Sequence, residues 1–394
     1  METSVKKGSI LGGILLIAGC CIGAGMLGLP VLSATAGFTP SVISFIVCWL
    51  FMLSTGLLVL EVNLSIGKES NIVSMAELTL GRVGKWISWA VFLFLFYSLM
   101  VAYLTASGAL VVDFIQEIFG FQIHANIGSV IFCALFGAVI YWGTCAVDWL
   151  NRLLMLGLIL SYALLIVVGS PHVDGVLLQR ANWSEAILVI PAAILSFGFH
   201  NLVPSMTTYL HGNRKALIWT FVIGSVIPLF IYLVWEWLIL GIVPLTEFKT
   251  ALDQGEIATQ ALKSTVGISW VTDVAQMFAL FAIITSLLGV ALSFVDFLSD
   301  GLKVKKTSLG KVTLITLALV PPLIFAFFHP TIFLVALNYA GGFGAVILFG
   351  ILPALMVWRG RYYQGLLNKP IVPGGKPVLA LIIIFAIWVM TTLM

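Results

Sequence analysis

Eleven apolar segments, each near or above the roughly 20 residues that span a bilayer, follow one another along this chain with short polar connections. They lie at about 10–36, 39–66, 85–117, 125–145, 149–170, 184–210, 216–243, 267–298, 309–328, 331–357 and 377–394. Hydrocarbon offers no partner to a bare N–H or C=O, so such a segment satisfies its backbone within itself, as a helix. The pattern predicts an all-α polytopic membrane protein with eleven transmembrane helices. The third and eighth segments are long enough to tilt or to project beyond the bilayer.

Composition agrees: 61% of the 394 residues are hydrophobic and 9% are charged, against roughly 25% charged in soluble proteins. Lys6 and Lys7 precede the first apolar run as in a signal peptide, but that run outlasts a short apolar core and leads into further spans. It reads as a retained helix. If the N-terminus is cytoplasmic, sixteen of the nineteen Lys and Arg fall on the inner side, leaving Arg180, Lys249 and Lys263 outside. That asymmetry obeys the positive-inside rule and puts the C-terminus outside. The five cysteines sit in apolar runs without metal-ligand spacing. Residues 1–394 read as one integral domain, and the external connection at 244–266 is either an amphipathic surface helix or a solvated loop.

Two segments are interrupted where an anchor would be continuous. The first holds Gly23, Gly25, Gly28 and Pro30; the sixth runs from Pro191 through Ser196-Phe-Gly-Phe-His200-Asn to Pro204. Glycine and proline loosen a helix, and a span broken at mid-membrane marks a polar cavity with a binding site. The two breaks occupy corresponding places in successive five-helix blocks of opposite direction. This predicts a 5+5 inverted repeat, with repeat one at about 8–171, repeat two at about 184–357 and a peripheral eleventh helix at about 377–394. That is the architecture of a secondary transporter. No phosphate-binding loop is present, and no nucleophile–base pair, metal motif or paired mid-membrane carboxylate points to an enzyme.

Four motifs carry a resemblance: Gly-Ala-Gly-Met-Leu-Gly-Leu-Pro at 23–30, Glu61-Val-Asn-Leu, Ser-Phe-Gly-Phe-His-Asn-Leu-Val-Pro-Ser at 196–205, and Phe294-Val-Asp-Phe-Leu-Ser-Asp-Gly-Leu. Together they resemble the hydroxy/aromatic amino acid permease family, and within it the bacterial tyrosine- and tryptophan-specific permeases, over essentially the whole chain. The resemblance implies the amino acid–polyamine–organocation fold, shared with the bacterial leucine transporter. It implies import of an aromatic amino acid across the bacterial inner membrane by proton symport. Sodium coupling and amino-acid exchange are the alternatives within that fold. No cofactor, nucleic acid or obligate protein partner is implied; the partners are the substrate and the lipid bilayer.

Site residues follow from what a zwitterion needs. Backbone N–H groups at Ile22, Gly23, Ala24, Gly25 and Met26, at the positive end of the second half-helix, suit a carboxylate. Carbonyls freed from Ser196 through Phe197 and Gly198 to Phe199 suit an ammonium. Phe197, Phe199, Tyr103 and Ser107, with Asn201, are expected at the side-chain pocket. His200 either carries the coupling proton or stays neutral and satisfies freed backbone groups. Glu61 reads as a gate or a residue paired with a basic group near the inner mouth such as Arg152, with proton carriage as the alternative. Asp296 reads similarly, and Asp113 and Glu236 read as helix-end or pairing residues. Thr285 and Ser286 would serve a sodium ion in the leucine-transporter fold, or would bond back to their own helix.

Overall fold

A computed structural model describes residues 9–67, 70–120, 123–265, 269–367 and 369–393, with only the backbone of 117, 118, 269 and 270. Lys6, Lys7 and Lys68 of the inner-side count lie outside the described residues. Those residues are helical, with no strand among them.

α1 (Ile10–Cys21) and α2 (Gly25–Ser33) divide the first apolar segment and meet at 54°. α3 (Phe38–Ile66), the short α4 (Ile72–Leu80), α5 (Arg82–Phe119), α6 (Ala125–Trp142) and α7 (Thr144–Gly169) follow. After the small α8 (Gly175–Leu178), the sixth segment is divided into α9 (Ile190–Ser196) and α10 (Val203–Tyr209). α11 (Arg214–Ile242) is continuous. The connection at 244–266 holds two helices, α12 (Leu245–Gln254) and α13 (Ala258–Thr265), before α14 (Ser269–Leu302) and α15 (Ser308–Phe328). α16 (Phe333–Tyr339) and α17 (Leu352–Tyr362) are joined by wide π-helical turns over Ala340–Ile351, and α18 (Gly375–Thr391) ends the bundle. Ser9, Asn71, Asn213 and Thr307 cap their helices by accepting a first-turn N–H.

Among the described residues, nine helical stretches are long and apolar enough to cross a membrane, and the bent α1–α2 pair makes ten. α18 is equally apolar but has 17 residues, which leaves the eleventh crossing of the sequence reading short of full span length. The π-helical turns depart from the regular tenth helix expected. A Cβ on Gly341 would run into the Pro191 carbonyl, so this wider stretch lies directly against α9.

Lipid tails are as apolar as leucine, so helices here associate through close packing and polar contacts. α5 meets α6 where Gly128 faces Gly108: a Cβ on Gly128 would sit 2.6 Å from the Gly108 carbonyl oxygen. α5 and α14 interlock through rings, Phe96 on Phe294 at 5.0 Å and Phe92 on Phe297 at 5.7 Å.

One end of the bundle is fastened by a buried ion pair. Arg361 gives Nε and Nη2 to the two oxygens of Glu61, both at 2.6 Å. The Ile371 N–H adds a bond to Oε2 at 2.7 Å, and Arg361 Nη2 reaches the Val372 carbonyl at 3.2 Å. Glu61 is thus paired, but with Arg361 rather than Arg152, which lies on the surface with Asp148 one turn away. The pair ties α3 to α17 and to the strap leading into α18. Removing one partner of a buried pair strands a charge and costs about 3–5 kcal/mol, whereas replacing both by apolar residues can be neutral. Glu61→Ala is therefore expected to lower the melting temperature in detergent sharply, and Glu61→Leu with Arg361→Met to recover most of the loss. Equal losses in both would contradict this role.

Candidate functional site

The two interrupted helices face each other. α1 ends at Cys21, and the Ile22 N–H closes it onto the Ala18 carbonyl at 3.0 Å. α2 restarts at Gly25, so the N–H groups at the break lack the regular partner four residues back. Ala24 gives its N–H to Ser286 Oγ of α14 at 2.8 Å. The glycines allow that approach: a Cβ on Gly23 would overlap Ser286 Oγ, and one on Gly25 would lie 2.8 Å from Ser196 Oγ. Met26 is fully buried and returns to regular turns, its N–H on the Gly23 carbonyl at 3.1 Å.

The second interruption runs over residues 197–199 and continues as a tight 3-10 turn at His200–Leu202. Of the carbonyls expected to be free, that of Ser196 accepts from Tyr232 and that of Phe199 from the Leu202 N–H at 2.9 Å. The Gly198 oxygen receives only the Cys20 thiol, at 3.8 Å. Tyr232 of α11 joins the two breaks: its hydroxyl lies 2.6 Å from the Cys21 carbonyl and 2.9 Å from that of Ser196. Trp235, almost one turn further on, donates Nε1 to the Met26 carbonyl at 3.0 Å.

Other expected residues divide between the gap and the packing around it. Phe197 is buried against Tyr232, ring centroids 5.1 Å apart, and Tyr103 is buried. Ser107 is buried and bonds back to the Leu104 carbonyl of its own helix. Thr285 does the same with the Phe281 and Ala282 carbonyls, so only Ser286 of that pair reaches the break. Phe199 stacks on Phe221, 5.5 Å away, away from the gap. His200 is fully buried, with its ring 4.7 Å from Phe349 and nearly parallel to it. Its Nε2 lies 2.9 Å from Thr55 Oγ1. That hydroxyl also lies within reach of the Phe51 and Met52 carbonyls, and Nδ1 is without a partner among the described residues. Asp296 pairs with Lys306 at 2.7 Å on the surface, and Asp113 with Lys263 at 3.3 Å.

Toward the Glu61–Arg361 end the gap is uncovered. The face of α14 that holds Ser286 continues through Gly289, Ser293 and Asp296, all exposed, and a Cβ on Gly289 would meet nothing within 4 Å. Past the second break Asn201, Ser205 and Thr208 are exposed on successive turns. In the other direction Met26 to Ser33 of α2 is buried throughout.

Sequence reasoning missed Tyr232, Trp235, Thr55 and Phe349. Tyr232 and Trp235 did leave a signal, because a buried phenol or indole needs a hydrogen-bond partner, and these two lie on one face of the seventh segment. If the glycines serve close approach, Gly23→Ala overpacks the contact and costs about 1–3 kcal/mol. Adding Ser286→Ala removes the oxygen that the new methyl meets, so the double variant should melt higher than Gly23→Ala alone. A lower melting temperature for the double variant would show that the two positions do not share this contact.

Comparison with known proteins identifies the family. Residues 6–393 match the tryptophan/tyrosine permease family. The chain is 32% identical to a tyrosine-specific transport system 1 of Haemophilus influenzae, over 97% of this chain and 95% of that protein. It is 30% identical to the tryptophan-specific transport protein of the same organism, over 97% and 94%. It is 31% identical to the low affinity tryptophan permease of Escherichia coli, over 98% and 96%. The chain belongs to the tryptophan/tyrosine permease family: it is a multi-pass membrane transport protein and not an enzyme.

Proposed function

We propose that the protein imports tyrosine or tryptophan by proton symport, working by alternating access around the two broken helices. The observation that carries this reading is the meeting of the breaks. α2 presents its N-terminus where Gly198 presents a carbonyl free of any strong donor. An N-terminal dipole end favours a carboxylate by about 0.3–1 kcal/mol at a surface and up to about 2 when partly buried, and the N–H groups around Gly23 and Gly25 add directed bonds. The Gly198 and Phe197 carbonyls suit an ammonium. Phe197 and Tyr103 supply aromatic contacts, each pair adding about 0.5–1.5 kcal/mol beyond area burial. The names of the relatives supply the substrate class.

The uncovered polar stripes on α10 and α14, against the buried α2, fit a state open to one side. With the Lys and Arg distribution of the sequence, that side is the cytoplasm, and the host is the bacterial inner membrane. The facing breaks support the 5+5 inverted repeat, with α18 as the peripheral eleventh crossing. The bonds of Thr285 to its own helix leave one hydroxyl at the break, which favours a proton over a sodium ion.

A zwitterion carries no net charge, so a coupled cation is what lets the membrane potential contribute, by roughly 2.3 kcal/mol per 100 mV. Uptake of labelled tyrosine and tryptophan into proteoliposomes tests the reading, with pH and sodium gradients imposed separately. An inward proton gradient without sodium should drive accumulation of at least one of the two. Accumulation driven by sodium alone would overturn the coupling, and no accumulation of either amino acid would overturn the substrate.

A further inference from the structure

On α11, one turn beyond Tyr232, stands a carboxylate that the site described so far does not use. Glu236 is fully buried. Its Oε2 lies 2.8 Å from Ser33 Oγ of α2, and Oε1 has no hydrogen-bond partner among the described residues. We propose that Glu236 is the group that takes up the coupling proton, and that Ser33 conveys its charge state to α2. This assignment rests on the proton-symport reading above.

Among the described residues no cation is paired with it. α11 packs against α1, α2, α3, α7, α8 and α13. On α3, Glu61 is held by Arg361 and Cys48 lies on the Ile190 carbonyl. On α7, Tyr162 donates to the Ile231 carbonyl, and Arg152 pairs with Asp148. Lys263 of α13 is paired with Asp113, and His172 is bonded to the Val168 carbonyl. α1 offers only Cys20 and Cys21, and α2 and α8 carry no titratable side chain. Arg180, in the connection before the sixth segment, gives its Nη2 to the Ala34 carbonyl at the end of α2 and makes no ion pair with Glu236.

Hydrogen-bond accounting then links charge to position. Ser33 has one hydroxyl proton and two acceptors in reach, Glu236 Oε2 and the Pro30 carbonyl at 3.2 Å. With a protonated carboxyl, Glu236 donates to Ser33 and Ser33 donates to Pro30, so both hydroxyl protons have an acceptor and no charge is buried. With a carboxylate, Ser33 must turn to Glu236, the Pro30 carbonyl loses that bond, and an unpaired charge stays buried, which is costly. The seated position of α2 seen here therefore goes with the proton bound. The proton comes from external water when α2 is away from α11, forming an O–H bond on the carboxylate. It returns to water in the gap, past Tyr232 on the same face of α11.

Wild type and Glu236→Gln are compared in proteoliposomes with a pH-sensitive dye, using the amino acid that wild type accumulates, alongside counterflow against preloaded substrate. Glutamine imitates the neutral carboxyl, so counterflow should persist while substrate-induced proton uptake is lost. Proton uptake retained in Glu236→Gln would overturn the assignment alone. A wild type that moves substrate without protons would remove the symport reading, and the assignment with it. Where Glu236→Gln shows no counterflow, Ser33→Ala decides. It keeps the carboxylate but removes its reporter, so the pH profile of uptake should shift, and an unshifted profile overturns the proposal.

Discussion

Backbone groups released inside a membrane must find partners in the protein, because hydrocarbon offers none. The Tyr232 hydroxyl meets that demand for both interrupted helices at once, lying between the Cys21 and Ser196 carbonyls. Ser286 accepts the Ala24 N–H, and Trp235 donates to Met26. These contacts, made by continuous helices, let α1–α2 and α9–α10 stay unwound at the same place. Without them the breaks would be unpaired polar groups; with them they become a site.

The same logic separates rigid parts from parts able to move. α5 and α14 are zipped by phenylalanine rings, and Glu61 with Arg361 fixes α3 to α17. α2 is a short helix held by a few directed bonds to α11 and α14, at Met26, Ser33 and Ala24. A helix held by individual hydrogen bonds exchanges them at a net cost of about 0.5–1.5 kcal/mol each, far less than unpacking an aromatic seam. In the proposed cycle movement falls to the half-helices and support to the long spans.

Much of this was legible in the sequence because the membrane enforces it. Apolar runs near span length gave the helices to within a few residues, and Gly23, Gly25 and Pro191–Pro204 located both interruptions. The 244–266 connection was legible only as an amphipathic helix or a loop, and its division at Gly255 into two helices was not; nor were the π-helical turns at Ala340–Ile351, because a wholly apolar run does not distinguish π from α turns. Side-chain direction was also out of reach. Phe197 and Phe199 are two residues apart in the same break, yet one faces Tyr232 and the other packs on Phe221. The partner of Glu61 lies 300 residues away, and Arg361 looked no different from the other basic residues near that end. Glu236 was noticed, but as a helix-end or pairing residue, because the sequence does not show that the structure gives it a serine of α2 and no ion pair among the described residues.

If substrate sits between the two breaks, Cys20 offers a direct probe. It is exposed at the end of α1 with its sulfur on the Gly198 carbonyl, while Cys145, also exposed, stands at the start of α7 far along the chain from either break. Alkylation of both thiols can be followed by peptide mass spectrometry on the purified protein, with and without saturating tyrosine or tryptophan. A bound amino acid should slow modification of Cys20 and leave Cys145 unchanged. Equal rates at Cys20 with and without either amino acid, in protein that binds one of them, would contradict the account.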